Sequence, residues 1–219
     1  SVNAFNRTQH LNDLYISVFR AKNKTHWPGN LKKYKINDGE IRDKNDAPAV
    51  DPTTGYFADG SHSYWTDGSV PDGPNVSLGG AASKLPNPST RRLFTNKNGN
   101  VLTDPSNAIS PSNAANFVQQ DFGLDGSPGD PSVNDIIQWA RGVDVRDEDS
   151  DPSTLVRRSM GDTLHSQPAS VVYGGSGSTM DVVVYTATND GYLHAIDAET
   201  GVELWSFIPS ELLGDLGEL

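Results

Sequence analysis

Cysteine is missing from the 219 residues of this chain. Its absence excludes thiol catalysis, thiolate metal sites and disulfide bonds. The sequence also lacks an apolar run of about 18 residues or more, so we expect no membrane-spanning helix. Hydrophobic residues make up only 35% of the chain, which contains 21 Gly and 14 Pro. This composition predicts modest apolar strands joined by long irregular loops.

Positive charge is scarce as well. The sequence has 17 Lys and Arg residues against 28 Asp and Glu residues, and its formal net charge is −11. Such a charge repels phosphate backbones and anionic lipids, so we expect neither nucleic acid nor a membrane surface among the partners. The sequence also contains no Gly-rich phosphate loop and no His/Glu metalloenzyme spacing, which are signatures of common enzyme classes.

The region near the C-terminus alternates apolar runs with turn residues, as antiparallel strands joined by tight turns do. The predicted order is a strand over Val182–Thr188, a turn at residues 189–191, a strand containing Leu193 and Ile196, a turn at residues 199–201 and a strand over Val202–Ile208. Within this region the spacing Ala195-x-Asp197-x-x-Thr200-Gly201-x-x-x-Trp205 resembles the blade signature of quinoprotein-type β-propellers. The resemblance implies that Asp197 caps the turn, that Gly201 has a positive φ and that Trp205 docks between neighbouring blades.

Residues 29–39 share a spacing with residues 191–201. Each segment begins with Gly and has Leu two residues later, an apolar residue five later and Gly ten later. The spacing predicts a repeated strand–turn–strand unit with Leu31 and Leu193 at equivalent buried positions, and two unrelated hairpins with similar turns are the alternative. A propeller contains typically 4–8 blades, so we expect the chain to be part of a longer polypeptide.

These patterns divide the chain into three regions. Residues 1–43 contain strands of a first blade, residues 44–160 form an irregular insertion rich in Gly, Pro and Asn, and residues 161–219 contain strands of the next blade. The predicted fold class is therefore mainly β, a partial quinoprotein-like β-propeller whose first blades are separated by a long irregular insertion that carries short helices.

Two short helices are predicted inside the insertion. One covers Pro111–Gln120, with Ser110 as its N-cap. The other covers Pro131–Arg141, with Asp130 at the N-cap, Pro at the first helical position and Gly142 after its end. These residue types at these positions are typical of helix boundaries.

Several further segments resemble those of one family, in the same order along the chain. They are Trp27–Tyr34, residues 47–57 with Tyr64-Trp65, Gly79–Ala82, Arg91–Thr95, Trp139–Asp144 and Met160–Pro168. In this order the chain, from about residue 5 to residue 210, is similar to the PilY family of type IV pilus biogenesis proteins and pilus-tip adhesins. The similarity covers the early part of that family's C-terminal β-propeller domain, and the family's best-known calcium loop belongs to later blades.

The resemblance implies an exported, non-enzymatic protein at the cell surface, pilus tip, outer membrane or periplasm. The implied partners are the minor pilins of the pilus-tip complex, the remaining blades of the parent chain and a host or abiotic surface. Two other functions stay open. A propeller-type scaffold for periplasmic or outer-membrane assembly has no long insertion between its early blades, and a quinoprotein dehydrogenase fragment requires a complete propeller axis lined with charged cofactor ligands.

The densest acidic cluster contains Asp147, Asp149 and Asp151, whose i, i+2, i+4 spacing is that of the oxygen ligands opening a Ca²⁺ loop. Pro152 and Arg158 stand where an EF-hand has its Gly and its bidentate Glu, so the sequence predicts a looser Ca²⁺ site at most. The alternative, which we prefer, is a solvated acidic loop balanced by nearby arginines.

Two histidines invite a catalytic interpretation. His165 lies beside Asp162 and Ser166, but neighbours on an extended segment point in alternate directions and seldom form a triad. We expect structural hydrogen bonds there, and a packed or sheet-edge side chain at His194. The four tryptophans could stack on carbohydrate, but we expect at least three of them in the core. We therefore predict no catalytic residue and no cofactor other than calcium.

Overall fold

The computed structural model describes residues 12–23, 27–147, 150–175 and 181–218. Over these ranges the chain is mainly β and forms two open sheets, neither of them closed into a barrel. The strands are β1 (Asp13–Phe19), β2 (Pro28–Asn37), β3 (Glu40–Arg42), β4 (Leu93–Phe94), β5 (Met160–Gly161), β6 (Ala169–Gly174), β7 (Asp181–Ala187), β8 (Leu193–Asp197) and β9 (Glu203–Phe207). The helices are α1 (Gly80–Ser83), α2 (Val133–Arg141) and 3-10 helices at Pro105–Asn107, Pro111–Asn116, Gln119–Phe122 and Ser210–Glu218.

The first sheet has the strand order β1–β2–β3, and the short strand β5 pairs with the beginning of β2. All of these pairings are antiparallel. Asp38 and Gly39 form the turn between β2 and β3, with φ of 52° and 80°. Asp-Gly is a preferred pair for a two-residue hairpin turn, because both of its central residues take a positive φ.

The second sheet has the strand order β4–β9–β8–β7–β6. Strands β6–β9 are consecutive and antiparallel, whereas β4, from the insertion, pairs with β9 in parallel. In the turn after β8 the Asp197 carboxylate accepts hydrogen bonds from the backbone N and the Oγ1 of Thr200, both at 2.7 Å. Gly201 follows with φ of 77°. The predicted strands of this region, the Asp cap and the positive φ are confirmed.

Residues of the two sheets share one hydrophobic core. Tyr15 and Leu31 of the first sheet pack with Val182, Val184 and Ile196 of the second sheet. A second core forms where α2 and the 3-10 helices of the insertion meet the C-terminal segment, and its members include Phe122, Ile136, Ile137, Ile208, Leu213 and Leu216. The insertion is therefore packed against the strands on which the proposed repeat depends.

The helix predicted over Pro111–Gln120 is confirmed in part: it begins at Pro111 with Ser110 at its N-cap, but it is a 3-10 helix that ends at Asn116, and the Ser110 side chain makes no capping hydrogen bond. Two short 3-10 helices lie there, and Phe117 between them is extended, with φ of −121° and ψ of 151°. The Asn113 side chain donates hydrogen bonds back to the carbonyl oxygens of Pro105 and Ala108. Such local bonds to the backbone compete with the α-helical pattern.

Helix α2 confirms the second predicted helix, but its N-cap is Ser132 and not Asp130. Ser132 Oγ accepts from the backbone N of Asp135 at 3.1 Å, and the Asp135 carboxylate completes a capping box. The Asp130 carboxylate instead accepts from backbone N–H groups and closes the preceding turn. Gly142 ends the helix with φ of 101°, as predicted. Within the described ranges, no helix combines the length and apolarity that crossing a bilayer demands.

The two repeated units agree in topology but differ in burial. Each contains an antiparallel meander whose last tight turn has a Gly with positive φ. Leu31, in the middle of β2, is fully buried, whereas Leu193, the first residue of β8, is half buried. The prediction that they occupy equivalent buried positions is therefore wrong. The inward positions of β8 are His194 and Ile196, because alternate residues of a strand face opposite sides.

Candidate functional site

The second sheet carries apolar and aromatic residues on the side that points away from the first sheet. We call this side the outer face, and its apolar and aromatic residues include Val171, Tyr173, Val183, Tyr185 and Trp205. Tyr173 is 64% exposed and Val171 is 36% exposed, and the other three are half buried. An antiparallel sheet that buries one face usually turns polar residues to water on the other. A contiguous exposed apolar patch is instead typical of a docking surface.

Contacts across the strands order the outer face. The rings of Tyr185 and Trp205 are 5.9 Å apart at an angle of 55°. The hydroxyl oxygens of Tyr173 and Tyr185 are 2.5 Å apart. Burial, together with this hydrogen bond, raises the pKa of Tyr185 to about 12. Tyr185 therefore stays neutral at physiological pH and contributes aromatic surface and a hydroxyl group, not a charge.

The turn between β8 and β9 packs against the Trp65 ring. A Cβ atom added to Gly201 would lie 2.6 Å from Cγ of the Trp65 ring. Trp65 Nε1 donates to the Ala198 carbonyl oxygen at 3.3 Å, and Lys33 Nζ donates to the same oxygen at 2.8 Å. These contacts join the first sheet, the insertion and the blade-like turn, a connection that the motif alone does not predict.

Fewer tryptophans lie in the core than predicted. Trp65 is 1% exposed, and Trp139 packs against the second core. Trp27 stacks on Phe19 with ring centroids 6.1 Å apart, and Trp205 lies on the outer face. The expectation of at least three core tryptophans is wrong because neither Trp27, just before β2, nor Trp205 belongs to either core.

A buried ionic network lies on the inner side of the second sheet. Arg91 donates to the Glu203 carboxylate from Nε at 2.7 Å and from Nη2 at 2.9 Å. His194 Nδ1 lies 2.7 Å from Glu203 Oε2, the oxygen that also accepts from Arg91 Nη2. Burial would raise the pKa of Glu203, but the hydrogen bond with His194 and the charge of Arg91 lower it to about 2. Glu203 is therefore ionised inside the protein at neutral pH.

Sequence reasoning predicted the packing of His194 correctly but missed the network around it. His194 shares the inward side of β8 with Ile196, and a buried imidazole needs a hydrogen-bond partner. The need of the His194 imidazole for a partner indicates a polar residue on the neighbouring strand, where Glu203 lies. Arg91 gives no such local signal, because it is 112 residues away from Glu203 in the chain.

Asp162, His165 and Ser166 do not converge on one site. The Asp162 carboxylate accepts from Asn189 Nδ2 at 2.6 Å. Ser166 Oγ accepts from the backbone N of Ala187 at 3.0 Å, and His165 is exposed. The expectation of structural hydrogen bonds is confirmed for the aspartate and the serine.

The structure describes two of the three candidate calcium ligands. Asp147 is exposed and has φ of 52°. The Asp151 carboxylate accepts from Ser153 Oγ at 2.6 Å and from Ser153 N at 3.0 Å, and these bonds lower the pKa of Asp151. Asp149 lies outside the described residues. Among the residues that are described, no three His, Cys, Asp or Glu side chains form a group that could hold a metal ion, and the calcium site stays a prediction.

No protein-family model, curated protein or solved structure matches the chain. What the protein does is therefore inferred from its own residues and their geometry. The outer face, and the four-stranded meander that carries it, are the features from which we infer a function.

Proposed function

We propose that the two sheets are the first blades of a β-propeller and that the outer face docks against the next blade. The observation that carries this proposal is the four-stranded antiparallel meander β6–β9, which has apolar residues on both faces. Residues of one face belong to the core that is shared with the first sheet. Propellers consist of four-stranded blades arranged around a central channel, so a blade with a neighbour on each side requires a second apolar face.

We further propose that this propeller is a non-enzymatic, exported binding platform of the PilY type, which acts with minor pilins at a type IV pilus tip and supports pilus assembly and adhesion. The ordered series of segments from Trp27 to Pro168 that resemble this family supports the proposal. Four polar side chains with catalytic potential have structural partners. Glu203 and His194 are buried against each other in the core, the Asp162 carboxylate accepts from the Asn189 side chain, and Ser166 Oγ accepts from the backbone N of Ala187. Binding surfaces are therefore the better basis for function than a catalytic centre.

The pilus role is tested by genetics in the bacterium that encodes the protein. Deleting the gene should abolish surface type IV pili, and a tagged full-length copy should restore them and co-purify with sheared pili. A Tyr173→Ser/Trp205→Ser copy should fail to restore them, because two polar side chains interrupt the apolar outer face. Tyr56→Ser is the matched control, since Tyr56 is 78% exposed and lies in neither sheet.

The outcomes separate the pilus role from the assembly scaffold. Normal piliation in the deletion strain refutes the pilus role. Normal piliation combined with a loss of outer-membrane proteins favours the assembly scaffold instead. Equal rescue by the outer-face copy and by the Tyr56→Ser copy shows that the outer face is not part of the working assembly.

A further inference from the structure

A cleft of about 570 Å³ opens beside the C-terminal end of α2. Its volume falls within the range of roughly 300–1,000 Å³ that is typical of small-molecule sites. Most of its wall is apolar and consists of Pro88, Pro111, Val143, Leu155 and Val156. Small-molecule sites usually combine such a wall with a few polar groups that orient the ligand.

Among the described residues that line the cleft, Arg141 alone carries a charge. Its side chain is almost fully buried, with 8% of the residue exposed. Nε donates to the Pro88 carbonyl oxygen and Nη1 to the Ile109 carbonyl oxygen, both at 2.9 Å. These two bonds hold the guanidinium group in place. In the described part of the chain Nη2 has no protein acceptor, and no carboxylate forms an ion pair with Arg141.

Arg91 shows by contrast what Arg141 lacks. The Arg91 charge is neutralised by the Glu203 carboxylate at 2.7 Å. The corresponding neighbours of Arg141 are carbonyl oxygens, and burial followed by repulsion from Arg91 lowers the pKa of Arg141. Burying a charge without a counter-charge costs stability. The chain has 28 Asp and Glu residues, yet none of those described forms an ion pair with Arg141, so its charge is available to an anionic ligand.

We propose that this cleft binds a small amphipathic carboxylate, with the carboxylate group on Arg141 and a short apolar body against Pro111, Val143 and Val156. A guanidinium–carboxylate pair is among the stronger hydrogen-bonded contacts in proteins, and its planar geometry fixes the ligand's orientation. Gln138 adds a neutral amide to the same lining. The proposal is independent of the pilus role and of the propeller.

The probe is 4-phenylbutyrate, and its uncharged amide, 4-phenylbutanamide, is the control of nearly equal shape. NMR titration of the ¹⁵N-labelled chain should shift the amide signals of cleft residues such as Gln138 and Val143. The acid should bind at least about tenfold more tightly than the amide, which corresponds to ~1.4 kcal/mol. Equal affinities for acid and amide, or shifts confined to residues outside the cleft, overturn the proposal.

Two sets of variants test the charge. Arg141→Met should remove the preference for the acid, but Arg141 also holds two backbone segments, so this variant is informative only if it folds. Leu155 is 69% exposed at the cleft, so Leu155→Lys and Leu155→Asp should both preserve the fold. The affinity for the acid should be about tenfold higher in the Lys variant than in the Asp variant, with the difference shrinking at high salt. Identical affinities in these two variants overturn the proposal.

Discussion

Strands β2 and β7 each lie inside their own sheet. The composition of β2 is the more polar of the two, so β2 would be expected to be the less buried strand, but the structure shows the opposite. Strand β2 contains Asn30, Lys32 and Lys33, but every residue from Gly29 to Tyr34 is buried. Strand β7 has the apolar sequence Asp-Val-Val-Val-Tyr-Thr-Ala, but only its alternate residues, Val182, Val184 and Thr186, are buried. The more polar strand is thus the more deeply buried one.

The difference lies in what covers the second face of each strand. The insertion brings hydrogen-bond acceptors to β2, where Lys32 Nζ donates to the carbonyl oxygens of Asp72 at 2.5 Å and Gly73 at 2.7 Å. The same nitrogen lies 3.2 Å from Asp72 Oδ2, and Asn30 Nδ2 donates to the Val76 carbonyl oxygen. Polar groups on β2 therefore anchor the insertion, whereas the outer face beside β7 is partly exposed among the described residues.

Removing the Lys32 amine should detach the insertion from β2 and give the largest loss of stability among the variants considered. Lys32→Met leaves the Asp72 carboxylate buried without its counter-ion, so the free energy of unfolding should fall by about 3–5 kcal/mol. Urea unfolding measures this loss. Lys35→Met is the control on the same strand, because Lys35 is half buried and has no ion pair within the described ranges. Similar losses in the two variants would contradict the anchoring role of Lys32.

The contribution of the buried Glu203 carboxylate to the stability of the second sheet can be tested by its pH dependence. Its folded pKa of about 2 lies below the ordinary value of 4.5, so its ionised form stabilises the fold above pH 4.5 and this contribution is lost as the pH falls towards 2. A shift of this size corresponds to about 3 kcal/mol. Glu203→Gln should therefore be less stable than the unmodified protein at neutral pH, and the gap should narrow on acidification.

Chemical unfolding at a series of pH values measures this gap. Glu199→Gln is the control, because Glu199 is exposed and its loss should leave the pH dependence unchanged. A gap for Glu203→Gln that stays constant down to acidic pH would show that the ion pair with Arg91 does not stabilise the fold.

The hairpin turns show which features were predictable from the sequence. Asp197, Thr200 and Gly201 are neighbours in the chain, so their hydrogen bonds and dihedral angles follow from local residue preferences. The paired residues in the two buried networks are distant, since Lys32 lies 40 residues from Asp72 and Arg91 lies 112 residues from Glu203. Periodicity in one strand cannot reveal an acceptor that arrives from an insertion.

The outer face and the cleft beside α2 were missed for the same reason. The apolar run of β7 predicts a strand, but which of its faces is covered depends on how the sheets stack. From the sequence, Arg141 is a basic residue at the end of a predicted helix, which is a favourable place for a cation. Only the packing of Pro88 and Ile109 around it shows that the charge is buried.

The two hairpin glycines allow the turns of the two sheets to be compared, and their replacement should have an intermediate effect on stability. Gly39 and Gly201 have φ of 80° and 77°, but a Cβ at Gly39 meets no atom within 4 Å, whereas one at Gly201 collides with Trp65. Gly39→Ala should cost about 1–2 kcal/mol from the left-handed backbone alone. Gly201→Ala should cost about 1–3 kcal/mol more, because the ring must move. Thermal unfolding of both variants measures the difference, and equal losses would contradict the packing of Trp65 on this turn.

Substitutions on the outer face should have the smallest effect on stability. Their main effect should be on the self-association of the chain. Strand β6 is the edge of the second sheet, and an exposed edge beside an apolar face favours self-association. The unmodified chain should therefore sediment as oligomers at micromolar concentration. Tyr173→Ser should change the free energy of unfolding by less than about 1 kcal/mol, since Tyr173 is 64% exposed, but it should shift the population towards monomer, whereas Tyr56→Ser should not. A chain that is monomeric without any substitution would contradict the interpretation of the outer face as a docking surface, because an uncovered apolar face of this kind would then be tolerated without a partner.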